Sequence, residues 1–263
     1  MPSLPGVLKA VKKSGEIYYR ASITFQNKHI SLGSYSSGEE AHQAYLTAGE
    51  ILHGSSHIIE DYDPYYVLSF EKWVILINLR DNGIYFKNPI YLKNRYFIYY
   101  INKKILLKFD IDDLFYYAHH KIMKRGGHLF VSDYGMQVTI LSRYGIKNYA
   151  ISGRDYRFAN GDNTDYRYGN IEIINRYHGV LKSIRKGLPV YTAKIHINGD
   201  YIIGRYATEI EAAIAYNKAA GLMKEKGMAK DFPENYISEI DEIEYARIYH
   251  GVRISKKLRN YTL

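Results

Sequence analysis

The feature that most constrains the fold is that the chain repeats itself. "GVLKAVKKSGEIYYRASITFQNKHISLGSYSSGEEAHQAY" begins at Gly6, and "GVLKSIRKGLPVYTAKIHINGDYIIGRYATEIEAAIAY" begins at Gly179. Gly6, Val7, Leu8 and Lys9 match Gly179, Val180, Leu181 and Lys182; Ala21 and Ile23 match Ala193 and Ile195. Gly33, Tyr35 and Tyr45 match Gly204, Tyr206 and Tyr216. A repeat of this kind is one supersecondary unit written twice. A third fragment, "YHGVRISKKLRN" from Tyr249, repeats only Gly-Val and a basic run. It is expected to be a lone first strand, serving as a basic arm or an added edge strand.

Each full unit reads as three strands and a helix. The first strand follows Gly-Val and turns at Ser14-Gly15, or at Lys186-Gly187 in the second copy. The second strand alternates, with Tyr19, Ala21, Ile23 and Phe25 on one face and Arg20, Ser22, Thr24 and Gln26 on the other. In the second copy Tyr191, Ala193, Ile195 and Ile197 oppose Thr192, Lys194, His196 and Asn198. The third strand is expected to end at Gly33 or Gly204. An Ala-rich helix follows, and Thr208 with Glu211 has capping-box spacing. Small alanines let that helix sit close on one sheet face. The other face is left polar and basic, which suits the DNA major groove: a β-ribbon fits it and Arg, Lys, Asn and His can reach base edges.

Charge supports a polyanionic partner. The net charge is +9 and the pI about 9.3, and the segment from Arg247 to Leu263 holds five basic groups and no acidic one. There are no cysteines, which excludes disulfides and Cys-ligated zinc. No apolar run is long enough to span a bilayer, and "MPSLPGVLKAVKK" lacks the apolar block of a secretory signal.

"YYRASI" and "ISLGSYSSGEEAHQAY", with "YTAKI" and "IIGRYATEIEAAIAYNKAA", resemble the apetala-two DNA-binding domain of the ethylene-response-factor type. "DFPENY" at 231–236 resembles that domain's ending. The family's usual second-strand Trp is Tyr19 and Tyr191 here, so an aromatic is kept. The resemblance implies a sheet that reads the major groove, in agreement with the alternation. The expected DNA contacts are Lys9, Lys12, Lys13, Arg20, Ser22, Thr24 and Lys28 in the first copy. In the second they are His178, Lys182, Arg185, Lys186, Thr192, Lys194, His196 and Arg205, and Arg253, Lys256 and Lys257 extend the set into the C-terminal arm.

The middle has another texture. A helix is expected from Asp63-Pro64 to a stop at Gly83, then a hairpin around Asn102-Lys103, then a second helix from Asp110 ended by Gly126. His119, His120 and His128 raise the question of a metal. Adjacent histidines on a helix point in different directions, so no metal site is expected there.

"DYRFANGDNTDYRYGNIEIIN", Asp155 to Asn175, resembles the core of HNH endonucleases, and the resemblance covers 128–175. Asn160, Gly161, Asp162, Asp165, Arg167, Asn170 and Ile171 hold that family's frame. The family's metal-binding Asp, general-base His and orienting Asn are here Arg157, Phe158 and Tyr166, and only the last Asn, Asn170, remains. Arg157 would repel a metal and Phe158 cannot take a proton, so the hydrolytic mechanism is lost. Asp155 and Asp162 offer an alternative metal pair, but no histidine lies near them in sequence. Exchanging the metal for guanidinium groups keeps the affinity for phosphate, and Arg154, Arg157 and Arg167 are expected backbone contacts.

The expected fold class is α+β: two small apetala-two-like units, each a three-stranded sheet with a helix, flank a degenerate HNH (ββα-like) central domain. The expected boundaries are 1–60, 61–176, 177–236, and a helix with a basic C-terminal arm at 237–263. The expected function is sequence-specific double-stranded DNA binding without cleavage. It fits a transcriptional repressor evolved from an HNH homing endonuclease of a phage or mobile element, acting in a bacterial cytoplasm. The alternatives are an active homing endonuclease with a non-standard metal site and an RNA-binding or architectural protein whose tyrosines stack on bases. No cofactor, metal or membrane is expected. Double-stranded DNA is the expected partner, and a homodimer is left open.

Overall fold

The structure, a computed structural model, describes residues 4–54 and 56–262. These fall into two compact units, one holding 4–140 and 162–170, the other 141–161 and 171–262. The expected central segment 61–176 is therefore divided between them. Both units are mixed α and β, built on small antiparallel sheets.

In the first unit β1 (Val7–Val11), β2 (Ile17–Phe25) and β3 (Lys28–Tyr35) form an antiparallel sheet in that order. The helix α1 (Gly38–His53) follows. The sheet explains the recurring Gly-Val. The register slips between Ala21 and Ser22, and the Gly6 carbonyl accepts the Ser22 amide at 3.0 Å. Gly6 has φ 73°, and a Cβ there would lie inside the ring of Tyr45 on α1. Glycine thus lets the helix tyrosine pack onto the strand entrance while its carbonyl satisfies the bulge. The strand runs past Gly33 to Tyr35, whose ring lies over that glycine.

A reciprocal capping box between Ser37 and Glu40 starts α1. Ala41, Ala44 and Ala48 on its inner face are fully buried with Ala21, Ile23, Ile30 and Leu32 of the sheet. This core continues into α2 (Phe70–Asn82), where Trp73 to Leu79 are all buried. That helix begins at Phe70 rather than at Pro64, because the Ser69 hydroxyl accepts the Lys72 amide and supplies the N-cap. It ends at Gly83.

A second sheet of β4 (Ile90–Leu92), β5 (Tyr96–Tyr100) and β6 (Leu106–Asp110) contains the expected hairpin. The expected second helix is much shorter. α3 spans only Leu114–His119, and β7 (Met123–Arg125), β8 (His128–Asp133) and β9 (Met136–Thr139) make a third sheet. Gly126-Gly127 is the β7–β8 turn rather than a helix terminator. Residues 162–170 lie along β6, where the Lys108 amide donates to Thr164 O at 2.9 Å and the Tyr166 amide to Lys108 O at 2.8 Å.

The second unit starts with the short hairpin β10 (Tyr156–Phe158) and β11 (Ile171–Ile173). The repeated sheet follows as β12 (Val180–Arg185), β13 (Leu188–His196) and β14 (Asp200–Tyr206), covered by α4 (Glu209–Glu225). The geometry of the first copy recurs. The register slips between Ala193 and Lys194, and Gly179, at φ 73°, accepts the Lys194 amide at 2.7 Å. A Cβ on Gly179 would fall inside the ring of Tyr216. Thr208 and Glu211 form the expected capping box. Asn235, in "DFPENY", is buried and exchanges backbone bonds with His178, accepting its amide at 2.7 Å and donating to its carbonyl at 3.0 Å.

The third Gly-Val does not build a strand. Gly251 ends the helix α5 (Glu242–Gly251), and α6 (Lys256–Arg259) follows. No heavy atom lies within 4 Å of a Cβ placed on Gly251, so the close approach that defines the motif is missing. Asp241 caps α5 through the Glu244 amide at 2.7 Å, and a capped helix wins over the strand. The tail still meets the sheet at one backbone bond, Ser255 N to Ile203 O at 2.8 Å, and Leu258 is fully buried. Among the described residues no helix is long and apolar enough to cross a membrane.

Candidate nucleic-acid interface

Strand register assigns each expected contact to a face. In β12 and β13, Leu181 pairs with Thr192, Ser183 with Val190 and Arg185 with Leu188, while Val180 pairs with the buried Ala193. Leu181, Ser183, Arg185, Leu188, Val190, Thr192 and Lys194 therefore share the face turned away from α4, and Arg205 joins them opposite Thr192. Lys182 pairs with Tyr191 and belongs to the helix-side parity, as Lys9 does opposite Tyr19. Both remain exposed, but neither stands on the open face.

The open face of the first sheet carries less charge. Leu8, Ala10, Tyr18, Arg20, Ser22, Thr24, His29, Ser31 and Ser34 share it. Arg20 is its single permanent cation, and it donates to the Tyr18 hydroxyl at 2.7 Å. Lys12 is paired with Glu16 at 2.9 Å, Lys13 is exposed beside it, and Lys28 lies over the Tyr85 ring at 5.3 Å. The first face offers mostly hydroxyl groups, while the second combines three cations, Arg185, Lys194 and Arg205, with the aliphatic Leu181, Leu188 and Val190.

Some of the second face's charge is balanced. Asp200, opposite His196, accepts from its Nδ1 at 2.8 Å and lies 4.0 Å from the Lys194 ammonium. The His196 hydrogen bond, with Lys194 beside it, holds the Asp200 carboxyl below the usual carboxylate range. Alternation did not flag Asp200; only the hairpin register does. Among the described residues Lys182, Arg185, Lys186 and Arg205 make no ion pair. Lys230, also unflagged by the sequence, donates to the His196 carbonyl at 2.8 Å and braces the β13–β14 turn.

A cleft of about 300 Å³ extends this face toward the start of β12, lined by Arg154, Asp155, His178, Lys194, His196 and Asp200 among others. His178 is half-buried between the rings of Tyr149 and Tyr216, with centroids at 4.6 and 5.1 Å. Burial, helped by Arg154, lowers its pKa and favours the neutral ring.

The arginines expected to replace the metal are each held by a carboxylate. Arg154 Nε and Nη2 donate to Asp155, Arg157 Nε donates to Glu172 at 2.6 Å, and Arg167 donates twice to Asp165. Burial raises the Asp155 carboxyl, but Arg154, the Ile151 amide and Asn175 outweigh it and the pKa falls. The Thr164 hydroxyl and amide, with Lys108, hold Asp162 at about 2. Both carboxylates are thus engaged by protein donors. Phe158 faces Ile171 across the hairpin. Tyr166 is buried and stacks on Phe109 at 5.5 Å.

The C-terminal cations sit on a docked segment. The Arg253 carbonyl accepts the Tyr206 hydroxyl at 2.7 Å and Lys257 lies over the Tyr201 ring at 4.8 Å, with Lys256 exposed beside it. Ile254 and Leu258 anchor this segment in the core that α4 shares with the sheet, and Arg253 lines a cleft with Lys218, Leu222 and Glu225 of α4. Comparison of the chain with protein-family models, curated proteins and solved structures found no match.

Proposed function

We propose that the protein binds double-stranded DNA in a sequence-specific manner, chiefly through the open face of β12–β14, without cutting it. The observation that carries this reading is that face itself: Arg185, Lys194 and Arg205 stand with Thr192 on one side of a sheet whose other side is sealed by α4. A sheet of this width fits the major groove, where arginine and lysine reach guanine and threonine reaches several base edges. The first sheet is the secondary reader, its hydroxyls and Arg20 adding contacts that linkage to the second makes effective.

The non-cutting half of the proposal rests on Phe158 and Tyr166, which stand where the HNH resemblance requires a base and its orienting amide. A hydrophobic residue on a strand and a stacked core tyrosine cannot move a proton from water. Binding without cleavage suits a transcriptional repressor that occludes a promoter. That role and a homing-endonuclease ancestry are part of the proposal.

Titrating a mixed-sequence duplex at several salt concentrations tests it. Affinity should fall steeply with salt, and Arg205→Ala or Lys194→Ala should weaken binding. Arg157→Ala should matter less, because Glu172 already holds that guanidinium. Affinity indifferent to salt, or an Arg205→Ala protein that binds like wild type, would refute the assignment.

A further inference from the structure

The two repeated sheets differ at the tip of their first hairpin. In both units the third strand pairs with the second only from Tyr19 or Tyr191 onward, so the first hairpin projects as a two-stranded ribbon, formed in the second unit by Ser183–Arg185 and Leu188–Val190. Its turn is two residues long, with Lys186 at φ 50° and Gly187 at φ 78°, the tight left-handed hairpin turn. The tip is apolar on both faces. Ile184 pairs with Pro189 on one side, Leu188 and Val190 lie on the other, and Ile184 and Leu188 are 65% and 69% exposed.

The corresponding tip of the first unit also exposes aliphatic groups, Val11 and Ile17, but it is blunter. Its loop is longer, and Lys12 and Glu16 close an ion pair across it. The second ribbon has no such pair: from Ile173 to Gly199 there is no acidic residue, and Lys182, Arg185 and Lys186 surround the apolar tip. Water-exposed aliphatic groups ringed by unpaired cations suit an apolar slot inside a polyanion. The gap between two stacked base pairs is such a slot, and a wedge entering it is touched by a base on each face.

We propose that the β12–β13 tip is a wedge that inserts Leu188 and Ile184 at one base step of bound DNA and kinks the duplex, with Arg185 and Lys186 on the flanking phosphates. This inference rests on the DNA-binding reading and adds to it a deformation at a defined side-chain pair. Sequence preference at that step then comes from how readily it unstacks rather than from hydrogen bonds to its edges.

The test is energy transfer between dyes at the two ends of a short mixed-sequence duplex, with wild type, Leu188→Ser/Ile184→Ser and Arg185→Gln. Both apolar positions are exposed, so their replacement should leave the thermal unfolding of the chain unchanged. Wild type should shorten the end-to-end distance. The double serine variant should bind straight DNA with an affinity lowered roughly tenfold, by loss of the apolar contacts, and an unaltered salt slope. Arg185→Gln should still bend DNA but show a shallower salt slope. Binding by wild type without bending, or equal bending by the serine variant, overturns the wedge and leaves the DNA-binding reading standing. Failure of wild type to bind the duplex at low salt overturns both.

Discussion

Replacing Gly179 by Ala isolates the reason for the repeated Gly-Val. At φ 73° a Cβ adds left-handed backbone strain of about 1–2 kcal/mol. The new methyl would also lie 2.5 Å from the Lys194 carbonyl oxygen and within the Tyr216 ring. Neither neighbour can yield easily: the carbonyl belongs to a paired strand, and Tyr216 is 1% exposed. Forcing a methyl into such a site costs about 1–3 kcal/mol more, giving about 2–5 kcal/mol in total. The matched control is Gly251→Ala, where the added methyl meets nothing and the residue ends a helix; its effect should stay within about 0.5 kcal/mol. Two units need not unfold together, so the assay is hydrogen exchange of peptides from β12–β14 across a urea series. Gly179→Ala should shift opening of that sheet to markedly lower urea. Equal protection in the two variants would refute the explanation of the motif.

Other outcomes follow from the same unit. Leu258→Ala should cost about 2–5 kcal/mol and expose the C-terminal segment to protease, because a fully buried side chain anchors it; limited proteolysis checks this. Asn235→Ala should cost about 2–4 kcal/mol by leaving the His178 amide and carbonyl unpaired, read by urea unfolding. The pKa of His178 is lower folded than unfolded. Its contribution is therefore complete above about pH 6.5 and is lost as pH falls from there through the folded value. His178→Gln should flatten that part of the stability–pH curve.

Much of the repeated unit was legible because its signals are local. Alternation along Tyr19–Phe25 and Tyr191–Ile197 marks the strands, and Thr208 with Glu211 marks a helix start, whatever lies around them. Three elements differ from expectation where one local signal serves two structures. Lys124-Arg125-Gly126-Gly127 suits a helix end and a hairpin turn equally, and pairing across β7–β8 decides. Pro64 suits a helix start, but Ser69 takes the cap. Gly251-Val252 copies a motif whose meaning depends on a bulge and a tyrosine it does not meet.

The site was legible by residue type and not by face or partner. Lys9 and Lys182 are basic but fall on the helix-side parity, which one-residue register determines. Arg154, Arg157 and Arg167 read as free cations until Asp155, Glu172 and Asp165 are placed beside them. The apolar tip at Ile184 and Leu188 was invisible because its exposure depends on where β14 stops.

The most direct measurement is selection of bound duplexes from a random library with magnesium present, followed by sequencing and gel analysis of the recovered DNA. The account expects intact duplexes that share a sequence motif, and its loss in Arg205→Ala. Recovery without a shared motif, or breaks in the DNA that a chelator abolishes, would contradict it.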